Sequence, residues 1–307
     1  MEKIIDLHVH TTASDGEYTP TQVVDRAAKN GVNVMSITDH DTVLPYKDQE
    51  LYGYADRLGI VLLPGIEISA VATLPNKKET GVHVLGIDID PESTSITDIV
   101  EKSQRARISY TNEMISMFQL DGWDISPDDF DFRASITKAH IADVIIGKAA
   151  NRPKVAQFFG TEDVRRGQFI EATMNPGYRY YRKKTEIGAD EAIQAIKESG
   201  GAAILAHPVS MLWEQNLELR DIDKIVGRHQ FDGIEAIYYY FAKSEGDRRI
   251  EPVQEIFEIA KKHKLLISGG SDFHGDSNKI GNFVDVGLPG QPTRLSQAQL
   301  EKITSLR

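Results

Sequence analysis

The stretch Ile4–Gly16, "IIDLHVHTTASDG", decides how the rest of the chain is read. A β-branched apolar run reaches His8 and His10, then drops through small polar residues to Asp15. Its start has strand character and its end carries metal-ligand chemistry. Period-two alternation places Ile4, Asp6, His8 and His10 on one face and Ile5, Leu7 and Val9 on the other, so the two imidazoles share a face. Taken alone, such a pair fits hydrogen-bonded core histidines as well as it fits a metal site.

Working outward, six more strand-like runs follow: "VNVMSITDH", "IVLLPGIEIS", "GVHVLGIDI", "AAILAHP", "DGIEAIYYY" and "LLISGGSDFH". Helical stretches lie between several of them. "PTQVVDRAAKNG" has Pro20 near its start and Gly31 as its stop, and "DEAIQAIKESGG" repeats the plan with paired glycines. Alternating strands and helices predict a parallel α/β protein. The alternation lapses between Ile96 and Gly177, where a helical period with scattered Pro and Gly indicates a helical insertion, since a connection of that length is not a structureless loop. The expected division is therefore 1–95 and 178–307 for the main domain, with 96–177 as the inserted cap. Past "GSDFH" the chain turns Gly- and Pro-rich ("VGLPGQPT") and ends in a short polar helix.

The 307 residues suffice for a large core, and 40% hydrophobic with 26% charged residues is an ordinary globular mixture. No apolar run is long enough to span a bilayer and no signal peptide precedes the first strand, so a cytoplasmic location without membrane partners is expected. With no cysteine, a metal must be held by His, Asp, Glu or water. The net charge of −11 disfavours extended double-stranded DNA but leaves room for a locally positive pocket.

Six of the nine histidines fall at or near strand ends: His8, His10, His40, His83, His207 and His274. Asp15, Glu67 and Asp272 join them. In a barrel of parallel strands the C-terminal ends converge on one mouth, which gathers these groups although they are far apart in sequence. His229 and His263 lie in charged helical surroundings and read as surface residues. Asp39 and Asp41 could each orient a ligand imidazole or cap the next helix, and Asp6 is better placed for the orienting role. Nine N/O donors exceed what one four- to six-coordinate ion needs, so two or three divalent ions are implied. Mn²⁺, Zn²⁺ and Fe²⁺ all suit the donor set. Three such ions against three carboxylates leave a positive site that seeks an oxyanion, phosphate first.

The motifs "DLHVHTTASDG", "SITDHDT", "PGIEIS", "VHVLGI", "LAHP" and "GSDFH", in this order, resemble the PHP (polymerase and histidinol phosphatase) family of metal-dependent phosphoesterases. The resemblance implies a distorted seven-stranded β/α (TIM-like) barrel with a helical insertion and a trinuclear metal site, Mn²⁺ being the foremost ion. It assigns His8, His10, Glu67 and Asp272 to one ion. Glu67 would bridge to a second ion taking His83 and His207, and Asp15, His40 and His274 would hold the third. Glu67, His207 and Asp272 would act in catalysis, the bridged pair generating the attacking hydroxide.

"TTASDGEYTP", "ITKAHIA" and the run from Gly177 to Pro208 resemble the branch acting on nucleoside 3′,5′-bisphosphates or trimming oligoribonucleotides from their 5′ ends. There the insertion would overhang the mouth and grip phosphate through Lys138, His140, Arg105, Arg107 and Arg179, with Tyr178 and Arg182 as further candidates. Three other readings compete: a histidinol-phosphate phosphatase, an amidohydrolase, which also opens with HxH, and a PHP domain kept as a binding module. Against the last, none of the nine donors is missing.

Overall fold

The computed structural model describes residues 3–74, 79–175, 177–182, 187–242, 248–276, 284–289, 294–295 and 301. The first half begins β1 (Lys3–Val9), α1 (Pro20–Lys29), β2 (Val34–Ile37), α2 (Glu50–Arg57), β3 (Val61–Thr73), β4 (Glu79–Ile87) and α3 (Thr94–Leu120). Three helices follow, α4 (Lys138–Gly147), α5 (Arg152–Phe159) and α6 (Arg166–Thr173). The chain then returns through β5 (Ile187–Gly188), α7 (Ala189–Glu198), β6 (Ala202–Leu205), α8 (Pro208–Glu214), α9 (Leu219–Arg228) and β7 (Gly233–Ile237). A short hairpin, β8 (Tyr240–Ala242) and β9 (Arg248–Ile250), precedes α10 (Gln254–His263) and β10 (Leu266–Gly269). Three two-residue strands, β11 (Val284–Asp285), β12 (Leu288–Pro289) and β13 (Arg294–Leu295), come last. Of the expected C-terminal helix only Glu301 lies within the described residues, and it is helical.

Local sequence explains the boundaries. At the start of α1 the Thr19 hydroxyl accepts from Gln22 N, the Gln22 side chain accepts from Thr19 N, and Pro20 occupies the first turn, where its missing N–H costs nothing. Gly31, at φ +76°, lets the chain turn out of the helix into β2.

The main sheet runs β10-β7-β6-β4-β3-β2-β1-β13, with β5 on β3. Pairs β1–β2, β2–β3, β6–β7 and β7–β10 are parallel, but β4 is antiparallel to both β3 and β6. The expectation of a wholly parallel sheet is thereby corrected. Only residues 74–78 separate β3 from β4, too few for a crossover helix, so the pair must be a hairpin. The sheet is open between β10 and β1, where the segment after β10 meets β1 through a single bridge, Val9 with Phe273. Two hydrogen bonds support that seam: His10 N to Phe273 O (3.0 Å) and Asp272 N to His8 O (2.8 Å).

Under the sheet's functional end lies an apolar layer including Ile5, Leu7, Leu63, Leu85, Ile87 and Ile204. Each such buried aliphatic chain contributes about 1.5–3 kcal/mol, so this layer is a packed floor and not a pore. A second, larger core lies between sheet and helices and takes Val9, Ile37, Ile66 and Val84. Simple alternation would keep Leu7 and Val9 in one layer. They separate because the register of β1 on β2 shifts between Asp6 and Val9, as at a β-bulge.

Residues form two compact units, 1–100 with 186–307, and 101–185. The second unit has its own core, with Phe118, Trp123, Ile141, Phe169 and Tyr180. Trp123 Nε1 donates to Tyr180 Oη (2.9 Å), which donates to Asp121 (2.7 Å), so the buried indole N–H is satisfied. No helix among the described residues is long and apolar enough to cross a membrane.

Candidate metal centre

Alternation carries the apolar floor up into polar side chains. On β3, Leu63 of the floor and Glu67 have the same parity; on β4, Ile87, Leu85 and His83 do. Because β4 runs the other way, His83 lies at its middle, paired with Ser69, and not at a C-terminal strand end. It still reaches the shared end of the sheet. His8 and His10 come from β1 and the residue after it, His40 follows β2 and bridges to Glu67, His207 follows β6, and Asp272 and His274 follow β10. His207 (φ 27°) and Asp272 (φ 52°) hold left-handed backbone that side chains disfavour. Such strain persists where surrounding contacts fix it.

Glu67 sits at the centre, fully buried. Its Oε1 lies 2.8 Å from His83 Nδ1, 3.2 Å from His207 Nε2 and 3.3 Å from His8 Nε2. Its Oε2 lies 2.8 Å from His40 Nδ1 and 3.3 Å from His10 Nε2. Asp272 Oδ1 is 3.3 Å from both His8 Nε2 and His10 Nε2. On the far side, Asp15 is 3.3 Å from His274 Nε2, 3.7 Å from His10 Nδ1 and 3.8 Å from His40 Nε2. All nine donors singled out in the sequence thus belong to one continuous cluster.

Around it stands a ring of groups that hold the imidazoles. Glu235 on β7 is fully buried, with both carboxylate oxygens 3.2 Å from His8 Nδ1. Ser210 Oγ meets His207 Nδ1 (2.9 Å), and the Tyr238 hydroxyl donates to Asp272 (3.0 Å). Asp39 accepts from Thr11 N (2.8 Å), Thr11 Oγ1 (2.6 Å) and Ser14 Oγ (2.5 Å), which pins the loop that delivers Asp15. Asp41 accepts from Ser69 N (2.8 Å), while its own N–H donates to Glu67 O (2.8 Å).

Asp6 differs from its sequence reading. It contacts His8 only at the backbone N–H (3.3 Å) and otherwise accepts from Ser271 N (2.9 Å), Ser271 Oγ (2.6 Å) and Gly287 N (2.7 Å). It ties strand ends together, and Glu235 holds the imidazole instead. A lone carboxylate inside the apolar run "GIEAI" was the available signal. His229 is also corrected: it is buried, with Nδ1 2.6 Å from Asp190. His263 pairs with Asp223 (2.8 Å).

The charges follow from this packing. Burial works against ionisation of Glu67, but His40, His83 and His8 hold its carboxyl well below the usual range. Burial likewise opposes the charge on Asp15, and His40, His274 and His10 overrule it. For His10 burial lowers and the hydrogen bonds to Asp272 and Glu67 raise, taking it up to about 10. His8 rises against burial through Glu235, Asp272 and Glu67, whereas burial prevails at His40 and lowers it.

These donors fit divalent cations. Four subsets place ligand atoms within 4.8 Å of one another: His10, Asp15, His40 and His274; His8, His10 and Asp272; His8, Glu67 and His207; and His40, Glu67 and His83. His40 Nδ1 and Glu67 Oε2 are sealed from water without a well-oriented hydrogen bond, and the Nε2 atoms of His8 and His10 stand 3.2 Å apart. Lone pairs so close repel unless a proton or cation lies between them. Nitrogen and oxygen donors without sulfur suit first-row divalent ions.

The insertion residues have different surroundings. Arg105 is 70% exposed and pairs with Glu101 one turn away (3.3 Å). Arg107 is buried, and its Nη1 donates to Ile136 O (3.0 Å). His140 Nδ1 accepts from Thr137 N (3.1 Å) in the capping box of α4. Lys138 donates to Asn175 Oδ1 (3.2 Å), and burial pulls its ammonium below the ordinary value. Arg179 pairs with Asp121 (2.6 Å), Tyr178 is exposed, and Arg182 donates to Tyr181 O (2.6 Å).

The PHP domain profile matches residues 6–145, which takes in His8, His10, Asp15, His40, Glu67 and His83. The chain carries a PHP domain. Relatives extend the likeness over most of the chain. A 5′-3′ exoribonuclease of Haemophilus influenzae is 29% identical over 278 residues, covering 89% of this chain and 91% of that protein. A 3′,5′-nucleoside bisphosphate phosphatase of Chromobacterium violaceum is 26% identical over 274 residues, covering 88% and 87%. Among solved structures, a candidate metal-dependent phosphoesterase from Bifidobacterium adolescentis superposes with a TM-score of 0.75 at 26% identity, covering 98% of this chain and 96% of that one.

Proposed function

We propose that this PHP protein is a metal-dependent phosphoesterase acting on nucleotides, most directly nucleoside 3′,5′-bisphosphates or the 5′ ends of short oligoribonucleotides. The observation that carries the reading is Glu67, one buried carboxylate within 3.3 Å of five imidazoles, an excess of donors over anything a purely structural site requires. Glu67 would be shared between two ions, one with His8, His10 and Asp272 and one with His83 and His207, while Asp15, His40 and His274 would hold a third. Mn²⁺ is the foremost candidate. Bound ions supply an activated water, a grip on phosphoryl oxygens and charge relief for the leaving oxygen. The chain's own contribution is to hold these ligands rigidly, with Glu67, His207 and Asp272 nearest the reacting atoms.

The names of the exoribonuclease and bisphosphate phosphatase relatives support the nucleotide branch. The strand order and the seam at Val9–Phe273 support a distorted seven-stranded barrel, and residues 96–177 read as its inserted cap. The test is a panel on Mn²⁺-loaded protein: 3′,5′-bisphosphates and short 5′-phosphorylated oligoribonucleotides are expected to be hydrolysed in preference to simple monophosphates and histidinol phosphate. Equal turnover of histidinol phosphate, or no hydrolysis of either nucleotide class, would overturn the substrate reading.

A further inference from the structure

We infer that Glu235 is a positioning residue for the pair of metal positions that share Glu67, gripping one ligand of each at once: His8 through the ring and His207 through the backbone. The inference rests on the metal-dependent reading above. Glu235 lies mid-strand between Ile234 and Ala236, all three without solvent exposure. A buried carboxylate there is costly unless its oxygens are fully used. They are: both lie 3.2 Å from His8 Nδ1, and Oε2 also accepts the His207 N–H at 2.7 Å.

An ionised carboxylate can only accept. His8 therefore carries a proton on Nδ1, and Nε2, 3.3 Å from both Glu67 and Asp272, is the nitrogen left to bind a cation that displaces its proton. The same carboxylate holds the N–H of His207, whose left-handed backbone (φ 27°, ψ 55°) aims Nε2 at Glu67 Oε1, 3.2 Å distant. His8, Glu67 and His207 form one of the four ligand subsets. Glu235 thus supports two of the three ligands of that subset from outside it. The subset of His10, Asp15, His40 and His274 has separate support from Ser14 and Asp39.

An amide at this position has one acceptor oxygen. If that oxygen keeps the His207 N–H, the –NH₂ faces His8 Nδ1 and favours the tautomer with its proton on Nε2, which cannot bind a cation. Metal content should be measured on wild type, Glu235→Gln, His8→Ala and the double variant after Mn²⁺ loading and desalting. Glu235→Gln is expected to lose one equivalent and keep the rest, and the double variant to lose no more than His8→Ala alone. Long-range ¹H–¹⁵N spectra of Zn²⁺-loaded wild type should show the His8 proton on Nδ1, a readout independent of how the variant folds. Full metal content in folded Glu235→Gln, or a His8 proton on Nε2 in wild type, would overturn the inference while leaving the metal reading intact. Wild type that takes up no divalent ion would instead remove the metal reading and this inference with it.

Discussion

Gly270→Ala tests whether the site depends on the close approach of two chain segments. A methyl group at Gly270 would lie 2.3 Å from His8 Cβ, 2.6 Å from His8 N and 2.9 Å from His8 Cα. Ordinary contact begins near 3.4 Å, so His8 or the segment after β10 must retreat by roughly 1 Å. Two of the three obstacles are backbone atoms of β1 and have no rotamer to escape into. Overpacking of this kind costs about 1–3 kcal/mol. A displacement of about 1 Å in a reacting constellation costs about a hundredfold in rate. Gly81→Ala is the matched control, since nothing lies within 4 Å of a Cβ there, and its stability change should stay within about 0.5 kcal/mol. Thermal melts, metal content and phosphate release would be compared for the two variants. A Gly270→Ala protein with wild-type melting temperature and full metal content would refute the argument, and equal losses in both variants would show that the Gly→Ala change itself, and not the close approach, is the cause.

His8→Ala should empty one metal position, and Glu67→Ala should abolish turnover with the larger metal loss because five imidazoles share that carboxylate; unchanged metal content in the first, or retained activity in the second, contradicts the assignment. The ion-free protein and its metal uptake should respond to pH in opposite directions. His10 is raised from 6.5 to about 10, so the stability it contributes is present below 6.5 and lost as pH rises through about 10, while metal affinity climbs over the same range because protons leave the ligands. Calorimetry in buffers of different ionisation enthalpy should therefore register proton release on Mn²⁺ binding at pH 7.5, and a buffer-independent heat would count against it. Arg107→Ala should cost about 1–3 kcal/mol by removing a buried charged donor to Ile136 O, whereas Arg105→Ala should change stability by less than about 0.5 kcal/mol; chemical denaturation distinguishes them.

The contrast between those two arginines shows where sequence reading reached its limit. Residues two apart on α3 point to different sides of the helix, so one fate for both was never available. The gathering of the nine donors was legible because most of them stand where an apolar strand run gives way to imidazole or carboxylate, a pattern that survives without knowledge of strand direction, although Glu67 and His83 lie within their strands. Strand direction itself was not legible from the runs, although the five residues between β3 and β4 contained it. Glu235 escaped because a lone acid in an apolar strand acquires its meaning from His8, 227 positions away. Asp6 was given the wrong partner for the same reason: Ser271 and Gly287, which satisfy it, come from the other end of the chain, and the register shift after Asp6 interrupts the alternation that placed it with His8.

The β3–β4 hairpin has a consequence for how the protein is made. Glu67 and His83 are 16 positions apart, so their pairing is available early in synthesis, but Asp6 and Ser271, which close the seam beside His8, are 265 apart. At ~5–20 residues per second, a ribosome that has completed the hairpin needs on the order of 10–40 s more to deliver the closing segment. Throughout that interval Glu67 and His83 are without Asp272 and His274, the last donors of the cluster. The nine-donor cluster is therefore completed only when Asp272 and His274, which follow β10, have left the ribosome.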